Sequence, residues 1–352
     1  MARSWRDVGR PARRRGRATR RLGGIVTLGA VAAALAGWAA VVASAGALAA
    51  GPPPGACGEV GTVGKPGEPS DPDAVRELQL GLRLLGEFRY PVDGVYDLRT
   101  REAVREFQRL HGLPADGVAG PATWDALARA YQEEAASVVQ AQRGAAQSAP
   151  PPEHVPRRPD LEPDGYWIII DTHHLQLTLY KGHDVVGRWP VAVGKPSTLT
   201  PVGEWRISHK DRDWGGGFGT RWMRIDVPWG IYGIHGTNKP WSIGTRASGG
   251  CIRMFNEDVE KLWEMVPRGT PVTIVGVLPE ASWDTPIEAG SDGWNVPVLQ
   301  WALRDHGFPV GRADGKMGPE TMRGVAEAQR QLGLPPEPAA TVDLFRALQL
   351  RR

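Results

Sequence analysis

The spacing of hydrophobic residues changes twice along the chain, and each change marks a different kind of element. From 71 to 132, after the helix-start sequence Ser70-Asp71-Pro72, apolar residues recur every three or four positions, which predicts helices. From 166 to 277 apolar residues fall into short runs with a period near two, which predicts strands. Helical spacing returns from 293 to 352. The pattern therefore predicts a mainly-β domain, built as an antiparallel sheet or sandwich, between two small all-α domains.

One helix and three linkers complete the predicted organisation. Residues 256–266 are expected to form a helix with Asn256 as its N-cap, and Val272 to Val277 is expected to be the strand that closes the sheet. Segments 51–70, 133–165 and 278–292 are predicted linkers, the second of which begins as a possible helical tail.

The N-terminal fifty residues predict a membrane segment. The chain has 352 residues and a formal net charge of +3, but residues 1–22 alone hold nine arginines and one aspartate. Residues 23–50 carry no charge, and about 20 apolar residues suffice to cross a bilayer. We predict a basic cytoplasmic tail at 1–22 and a transmembrane anchor at 23–50, with a signal peptide cleaved near Ala47-Leu48-Ala49 as the alternative. Because the basic excess belongs to this tail, no nucleic-acid partner is predicted.

The two helical regions are related by a constant offset. Adding 221 to a residue number aligns Leu78-Gln79 with Leu299-Gln300, and Asp93-Gly94 with Asp314-Gly315. The alignment needs no gap over about fifty positions. We therefore predict two copies of one three-helix module.

Cys251 and His235, sixteen residues apart, are the candidate reactive pair. A cysteine is a strong nucleophile only as thiolate, and a nearby imidazole commonly lowers its pKa. Gly249 and Gly250 leave room for a substrate carbonyl beside main-chain N–H groups. On its own, such a cysteine is more often a small buried hydrophobe. The only other cysteine, Cys57, is predicted to be a bystander in a linker, since a disulfide would consume the nucleophile.

The segment from Tyr232 to Met254, YGIHGTNKPWSIGTRASGGCIRM, resembles the active-site segment of the L,D-transpeptidases, the YkuD-like family of cell-wall enzymes. Two upstream blocks, Val191 to Lys195 and Thr200 to Trp205, are similar to an earlier strand and a Thr-Pro-x-Gly turn of that family. The resemblance covers roughly residues 166–277. It implies a mainly-β L,D-transpeptidase-like catalytic domain. It also implies acyl transfer from a peptidoglycan stem tetrapeptide, through a cysteine thioester, to an amine acceptor.

The resemblance gives each residue of this segment an expected role. Cys251 is the nucleophile, His235 the base, and Ser248 the residue that helps to orient the imidazole. The main-chain N–H groups of Gly250 and Cys251 would form the oxyanion hole. The residues expected to line the substrate site are Arg253, Gly236, Thr237 and Gly249. Gly249 departs from the family pattern, because many members have a histidine there.

Each helical copy resembles the three-helix peptidoglycan-binding domain. The first copy keeps its motifs, including Phe107-Gln108 and Asp116-Gly117. The second has Ala328 in place of the aromatic residue and Glu337-Pro338 in place of the second Asp-Gly. The resemblance implies that the first copy binds peptidoglycan, whereas the second is degenerate and its binding stays open.

Three other functions remain open. Water as acceptor would make the protein an L,D-carboxypeptidase, and an inert transpeptidase-like domain would leave a wall-binding protein. A papain-like cysteine endopeptidase needs its cysteine before its histidine, the reverse of the order here. No metal or cofactor is predicted, since His173-His174 would point to opposite faces of a strand and no cluster has ligand spacing. The protein is expected in the cell membrane with its catalytic domain outside, or secreted to the cell wall.

Overall fold

The structure is a computed structural model that describes residues 62–149, 161–162, 164–212, 216–278 and 282–350. The predicted basic tail, the predicted anchor or signal and Cys57 lie outside these ranges and remain predictions. Within these ranges, no helix is both long enough and apolar enough to cross a bilayer.

The first helical module consists of α1 (Pro72–Leu84), α2 (Leu98–Leu110) and α3 (Pro121–Glu134). Asp71 caps α1 as the sequence suggested, because its Oδ1 accepts a hydrogen bond from the N–H of Asp73 at 3.0 Å. The fully buried core residues of the module include Leu78, Leu82, Val104, Phe107 and Trp124. The predicted three-helix module is confirmed.

The repeated Leu-Gln and Asp-Gly motifs hold the turns of the module. Gln79 is buried, and its Nε2 donates to Asp93 Oδ1 at 2.9 Å while its Oε1 accepts from the N–H of Gly94 at 2.9 Å. Gln108 makes the same kind of contact with Asp116, at 2.8 Å. A buried amide that bonds both a carboxylate and main-chain groups fixes the turn conformation, so these motif residues are structural.

A further helix lies within the segment predicted as a linker. Helix α4 (Ala136–Ser148) follows α3 and is tied to the β domain. Gln176 Nε2 donates to Ala146 O at 2.7 Å, and Arg143 Nε pairs with Asp258 Oδ2 at 2.9 Å. The Pro-rich remainder of that segment, residues 150–160, lies outside the described ranges.

The middle region is mainly β. Its strands are β1 (Tyr166–Asp171), β2 (Gln176–Lys181), β3 (Asp184–Pro190), β4 (Val193–Gly194), β5 (Gly203–Arg212), β6 (Arg221–Ile225), β7 (Tyr232–His235), β8 (Arg246–Ser248), β9 (Ile252–Arg253) and β10 (Pro271–Val275). Among the described residues, eight of these strands form one sheet in the order β3-β2-β1-β10-β5-β6-β7-β9, while β4 pairs with β8.

The sheet is mixed, which corrects the predicted antiparallel sheet or sandwich, although most of its strand pairs are antiparallel. Strand β10 pairs parallel with β1, with Val272 opposite Ile168, and antiparallel with β5, with Val272 opposite Trp205. The strand expected to close the sheet therefore lies in its middle. Helix α5 (Asn256–Met265) connects the edge strand β9 to this central position, so the chain crosses over the strands that lie between them.

Asn256 does not cap helix α5. The N-cap residue is Phe255, and no side chain caps the helix. The Oδ1 atom of Asn256 instead accepts hydrogen bonds from the N–H groups of Thr237 at 3.0 Å and Thr220 at 3.4 Å. The amide therefore connects α5 to the loop that follows β7.

The second helical module comprises β11 (Ile287–Glu288), α6 (Asn295–Asp305), α7 (Pro319–Gln331), β12 (Ala339–Ala340) and α8 (Val342–Ala347). Gln300 repeats the contact of Gln79, since its Nε2 donates to Asp314 Oδ1 at 3.1 Å. Gln329, the counterpart of Gln108, donates to Ala339 O at 2.9 Å. Among the described residues, Gln329 has no carboxylate partner equivalent to Asp116, because Glu337 stands at that position. The second turn of this copy therefore lacks one hydrogen bond that the first copy has.

Candidate active site

The candidate residues meet where strands β7 and β9 end side by side. His235 is the last residue of β7 and is paired in register with Arg253 on β9, while Cys251 directly precedes β9. On the other side of β7, Trp222 of β6 is paired with His235. Residues far apart in the sequence motif therefore share one edge of the sheet.

Two aromatic side chains connect His235 to Cys251. Phe218, Trp222 and Cys251 form one buried cluster, in which the cysteine is 2% exposed. The ring centroid of His235 lies 5.1 Å from that of Phe218 and 5.4 Å from that of Trp222. The sulfur and the imidazole thus have common neighbours that exclude water from both.

The imidazole of His235 is held in its neutral form. Burial, and next the positive charge of Arg253, lower the pKa of His235 to about 3, although hydrogen bonds to the carbonyls of Gly236 and Phe218 oppose the shift. Nδ1 lies 2.5 Å from Gly236 O. Because a carbonyl can only accept, the proton of the neutral ring belongs on Nδ1 in this contact. A pKa of about 3 keeps the imidazole unprotonated at neutral pH, and it also makes the ring a weaker base than an ordinary histidine.

Cys251 is disulfide-bonded in this structure. The described part of the chain contains no free cysteine, and the only other cysteine of the sequence, Cys57, lies outside it. A sulfur in a disulfide cannot act as a thiolate, so any thiol chemistry of Cys251 belongs to the reduced protein.

Ser248 stabilises the turn before Cys251 rather than the imidazole. Its Oγ donates to Cys251 O at 2.5 Å and accepts from the N–H of Gly250 at 3.0 Å. The resemblance had implied that this serine helps to orient His235. Within the described residues its hydrogen bonds go to the main chain of its own turn.

Gly250 is required by the geometry of this turn. Its φ is +118°, and a Cβ at this position would lie 2.8 Å from the ring of Tyr232. Its N–H is engaged by Ser248 Oγ, so an oxyanion role for this group requires that bond to open. Gly249, also expected at the substrate site, is partly exposed.

Gly236 and Thr237 are buried in the network around Asn256. A Cβ on Gly236 would lie 2.2 Å from Asn256 Oδ1, so a larger residue there would displace the Asn256 amide. Thr237 is 2% exposed, and its Oγ1 accepts from the N–H of Lys239 at 3.0 Å. The structure gives these two predicted substrate residues a supporting place behind His235. An asparagine at a helix start is usually a cap, so this role of Asn256 could not be predicted from the sequence.

Arg253 is mostly buried beside Glu77, an acidic residue that was not among the predicted site residues. Its Nη1 lies 3.1 Å from Oε1 of Glu77, on helix α1 of the first module. Burial lowers the pKa of Arg253 to about 10, so the guanidinium remains charged at neutral pH. The spacing of residues along the chain carries no signal for this contact, because it joins two domains.

His173 and His174 do not lie on a strand, contrary to the prediction. They belong to the turn between β1 and β2, where Nδ1 of His174 lies 2.7 Å from Oδ2 of Asp171. In the described ranges, no group of three or more His, Cys, Asp or Glu side chains is arranged to hold a metal ion.

Comparison with known proteins identifies the domains. Residues 165–274 match the family model YkuD, "L,D-transpeptidase catalytic domain", and residues 71–127 and 292–348 both match "Putative peptidoglycan binding domain". The protein named "Putative L,D-transpeptidase YkuD" of Bacillus subtilis is 45% identical over 120 residues, which cover 34% of this chain and 72% of that protein. "Putative L,D-transpeptidase YqjB" of the same organism is 35% identical over 127 residues, covering 32% and 72%.

Solved structures include the catalytic domain of an Enterococcus faecium L,D-transpeptidase, 29% identical, with a TM-score of 0.29 and coverage of 32% of this chain and 98% of that one. The sequence relationship to the Bacillus proteins and the match to the catalytic-domain model agree on one family. The chain therefore belongs to the L,D-transpeptidase family, with a YkuD-type catalytic domain between two peptidoglycan-binding modules.

Proposed function

We propose that this protein is a cysteine-dependent L,D-transpeptidase that cross-links peptidoglycan stem peptides through a thioester on Cys251. The observation that supports this most strongly is the shared environment of His235 and Cys251, since both side chains lie against Phe218 and Trp222. Membership of the family supplies the reaction class.

In the reduced protein, the thiol of Cys251 transfers its proton to His235, and the thiolate attacks the carbonyl of the third stem residue. The peptide bond to the terminal D-Ala breaks, D-Ala leaves as an amine with the proton from the imidazolium, and a thioester remains. The side-chain amine of a second stem then attacks the thioester. That amine loses one proton, the thiol is restored, and the two stems are joined by a new amide bond.

The surroundings of the sulfur suit this chemistry. Removing water from the site strengthens the attraction between developing charges and main-chain dipoles and protects the thioester from hydrolysis. Arg253 supplies a charged guanidinium on the strand that follows Cys251, and we propose that it binds a carboxylate of the donor stem peptide.

The first helical module would hold the enzyme on its polymeric substrate. It has an open cleft of about 390 Å³ whose lining includes Lys65, Tyr96 and Arg101. In the second module, Met317 and Met322 stand at the positions of Tyr96 and Arg101 under the constant offset, so polar contacts of this kind are lost. We propose that the first module binds peptidoglycan and that the chain acts outside the cell membrane, exported through residues 23–50 as an anchor or signal.

The proposal is tested by incubating the reduced protein with a soluble stem tetrapeptide and an amine acceptor, followed by mass spectrometry of the products. A cross-linked product that requires Cys251 supports transpeptidation. Release of D-Ala without a cross-link would indicate a carboxypeptidase. Products that are identical with the Cys251→Ala variant would contradict the proposal and leave a wall-binding protein.

A further inference from the structure

The first module contributes a charged side chain to the neighbourhood of the catalytic residues. Glu77 of helix α1 reaches across the domain boundary, with Oε1 3.1 Å from Arg253 Nη1 and Oε2 in contact with Lys239 Nζ. The side chains are 14%, 15% and 6% exposed for Glu77, Arg253 and Lys239, respectively. One carboxylate is thus shared by two basic side chains, of which Lys239 is buried and Arg253 is mostly buried.

The contact between Glu77 and Arg253 is part of a closely packed interface between the first module and the catalytic domain. Trp124 of the module stacks on Trp241 of the catalytic domain, with ring centroids 6.3 Å apart and an interplanar angle of 22°. Tyr131 meets the same indole edge-on at 5.8 Å. Gly81 is so close that a Cβ there would lie 2.9 Å from Trp241. Interdomain contacts of flexibly tethered modules are usually smaller and more polar, so this module is built into the catalytic domain.

The electrostatics of this cluster centre on Arg253. Its guanidinium stays charged at neutral pH, whereas burial, and next the positive charge of Arg253, lower the pKa of Lys239 well below its usual value. Without Glu77, the guanidinium would lose the carboxylate that pairs with it in a mostly buried place, which is unfavourable. A substrate carboxylate beside Arg253 would add a second anionic partner to the same guanidinium.

Arg253 retains hydrogen-bond donors for such a carboxylate. A guanidinium has five N–H donors, and among the described residues the side chain of Arg253 has one hydrogen-bond partner, Glu77, which it contacts through Nη1. Nη2 and Nε are the atoms left to receive a second carboxylate, in the forked geometry that arginine offers. Binding a substrate therefore does not require Glu77 to leave.

We infer that Glu77, supplied by the first peptidoglycan-binding module, is a positioning residue of the active site, which together with Lys239 holds Arg253 for the carboxylate of the stem-peptide donor. The inference rests on the proposed function. It gives the module a task besides tethering, because a tether alone would affect reaction with the wall polymer but not with a small soluble peptide.

The test compares Glu77→Gln with wild type on a soluble tetrapeptide donor in reducing buffer. Loss of a charge-assisted contact on Arg253 is expected to lower kcat/KM at least about tenfold, mainly by raising KM, with kcat changed less than about threefold. Glu77→Asp, which keeps the charge, is expected to recover part of the loss. Asp73→Asn is the matched control, since Asp73 lies on the same helix, pairs with Lys195 across the same interface and is exposed. It is expected to react like wild type.

The results separate the alternatives. An unchanged KM in Glu77→Gln would overturn the inference, and a lower KM would show that Glu77 competes with substrate for Arg253, which also overturns it. If Glu77→Gln does not fold, the double variant Glu77→Gln with Lys239→Met removes the carboxylate together with the buried amine that contacts it. A raised KM in that variant supports the inference and a wild-type KM contradicts it. An inactive wild type would defeat the proposed function as well, whereas an active wild type with an equally active Glu77→Gln defeats this inference alone.

Discussion

Glu204 of the catalytic sheet and Arg304 of the second module form a buried, two-pronged ion pair. Nη1 of Arg304 lies 3.1 Å from Oε2 and Nη2 lies 2.5 Å from Oε1, and Glu204 is fully buried. Trp301 Nε1 donates to the same carboxylate at 3.1 Å, and the N–H of Ala313 does so at 2.9 Å. The carboxylate therefore lies entirely between two domains. The degenerate module acts as a structural part of the enzyme, whatever it binds.

Arg304→Met is expected to destabilise the protein strongly. It leaves the buried carboxylate of Glu204 without its cation, which costs roughly 3–5 kcal/mol in comparable cases. Urea unfolding measures the change in the free energy of unfolding. Arg346→Met, which breaks the exposed pair with Asp343 in the same module, is the control and should change it by less than about 1 kcal/mol. Equal effects of the two variants would contradict the structural role.

The depressed pKa of His235 predicts that this residue destabilises the protein in acid. Burial lowers the pKa to about 3, whereas the unfolded chain has a value of about 6.5. As pH falls from about 6.5 toward 3, the unfolded state gains a proton that the folded state does not, so stability is lost over that window. By pH 4.5 the loss amounts to about 2–3 kcal/mol. Urea unfolding at pH 7 and pH 4.5 measures the loss of the free energy of unfolding. The loss should be about 2–3 kcal/mol smaller in His235→Gln than in wild type. Equal losses in the two proteins would contradict the lowered pKa.

Asn256→Ala tests the network behind His235. The substitution leaves the N–H groups of Thr237 and Thr220 without their acceptor, at about 1–3 kcal/mol for each buried group. The free energy of unfolding should therefore fall by more than the roughly 1 kcal/mol expected from loss of an ordinary helix cap. Lys261→Ala, on the exposed side of the same helix, serves as the control. A loss no larger than that of a cap would favour the original N-cap prediction.

Gly250→Ala is expected to reduce activity through the backbone. The residue has a φ of +118°, and its added Cβ would meet the ring of Tyr232 at 2.8 Å, directly before Cys251. We expect at least a tenfold loss of kcat, since a rise of about 1.4 kcal/mol in the activation free energy is enough for that. Gly120→Ala, where nothing lies within 4 Å and φ is −87°, should leave kcat unchanged. A normal kcat in Gly250→Ala would show that the turn tolerates a side chain.

Local sequence patterns predicted the secondary-structure elements and the reactive motif, but they could not predict contacts between domains. Asp71 and the apolar spacing after it place helix α1, and the constant offset reveals the repeat, because these signals depend on neighbours in sequence. The central position of Val272 depends on a crossover, which strand periodicity does not encode. Glu77 contacts Arg253 across 176 positions, and it looks like any exposed glutamate of an amphipathic helix. Only packing of the module on the catalytic domain makes it part of the site.

The central claim is that the thiol of Cys251 carries the acyl group. Intact-protein mass spectrometry of the reduced protein, mixed with the tetrapeptide donor alone, tests it most directly. We predict one added acyl tripeptide with loss of D-Ala, mapped to Cys251, absent without reductant and absent in Cys251→Ala. No adduct on the reduced wild-type protein, or an adduct that persists in Cys251→Ala, would contradict the claim.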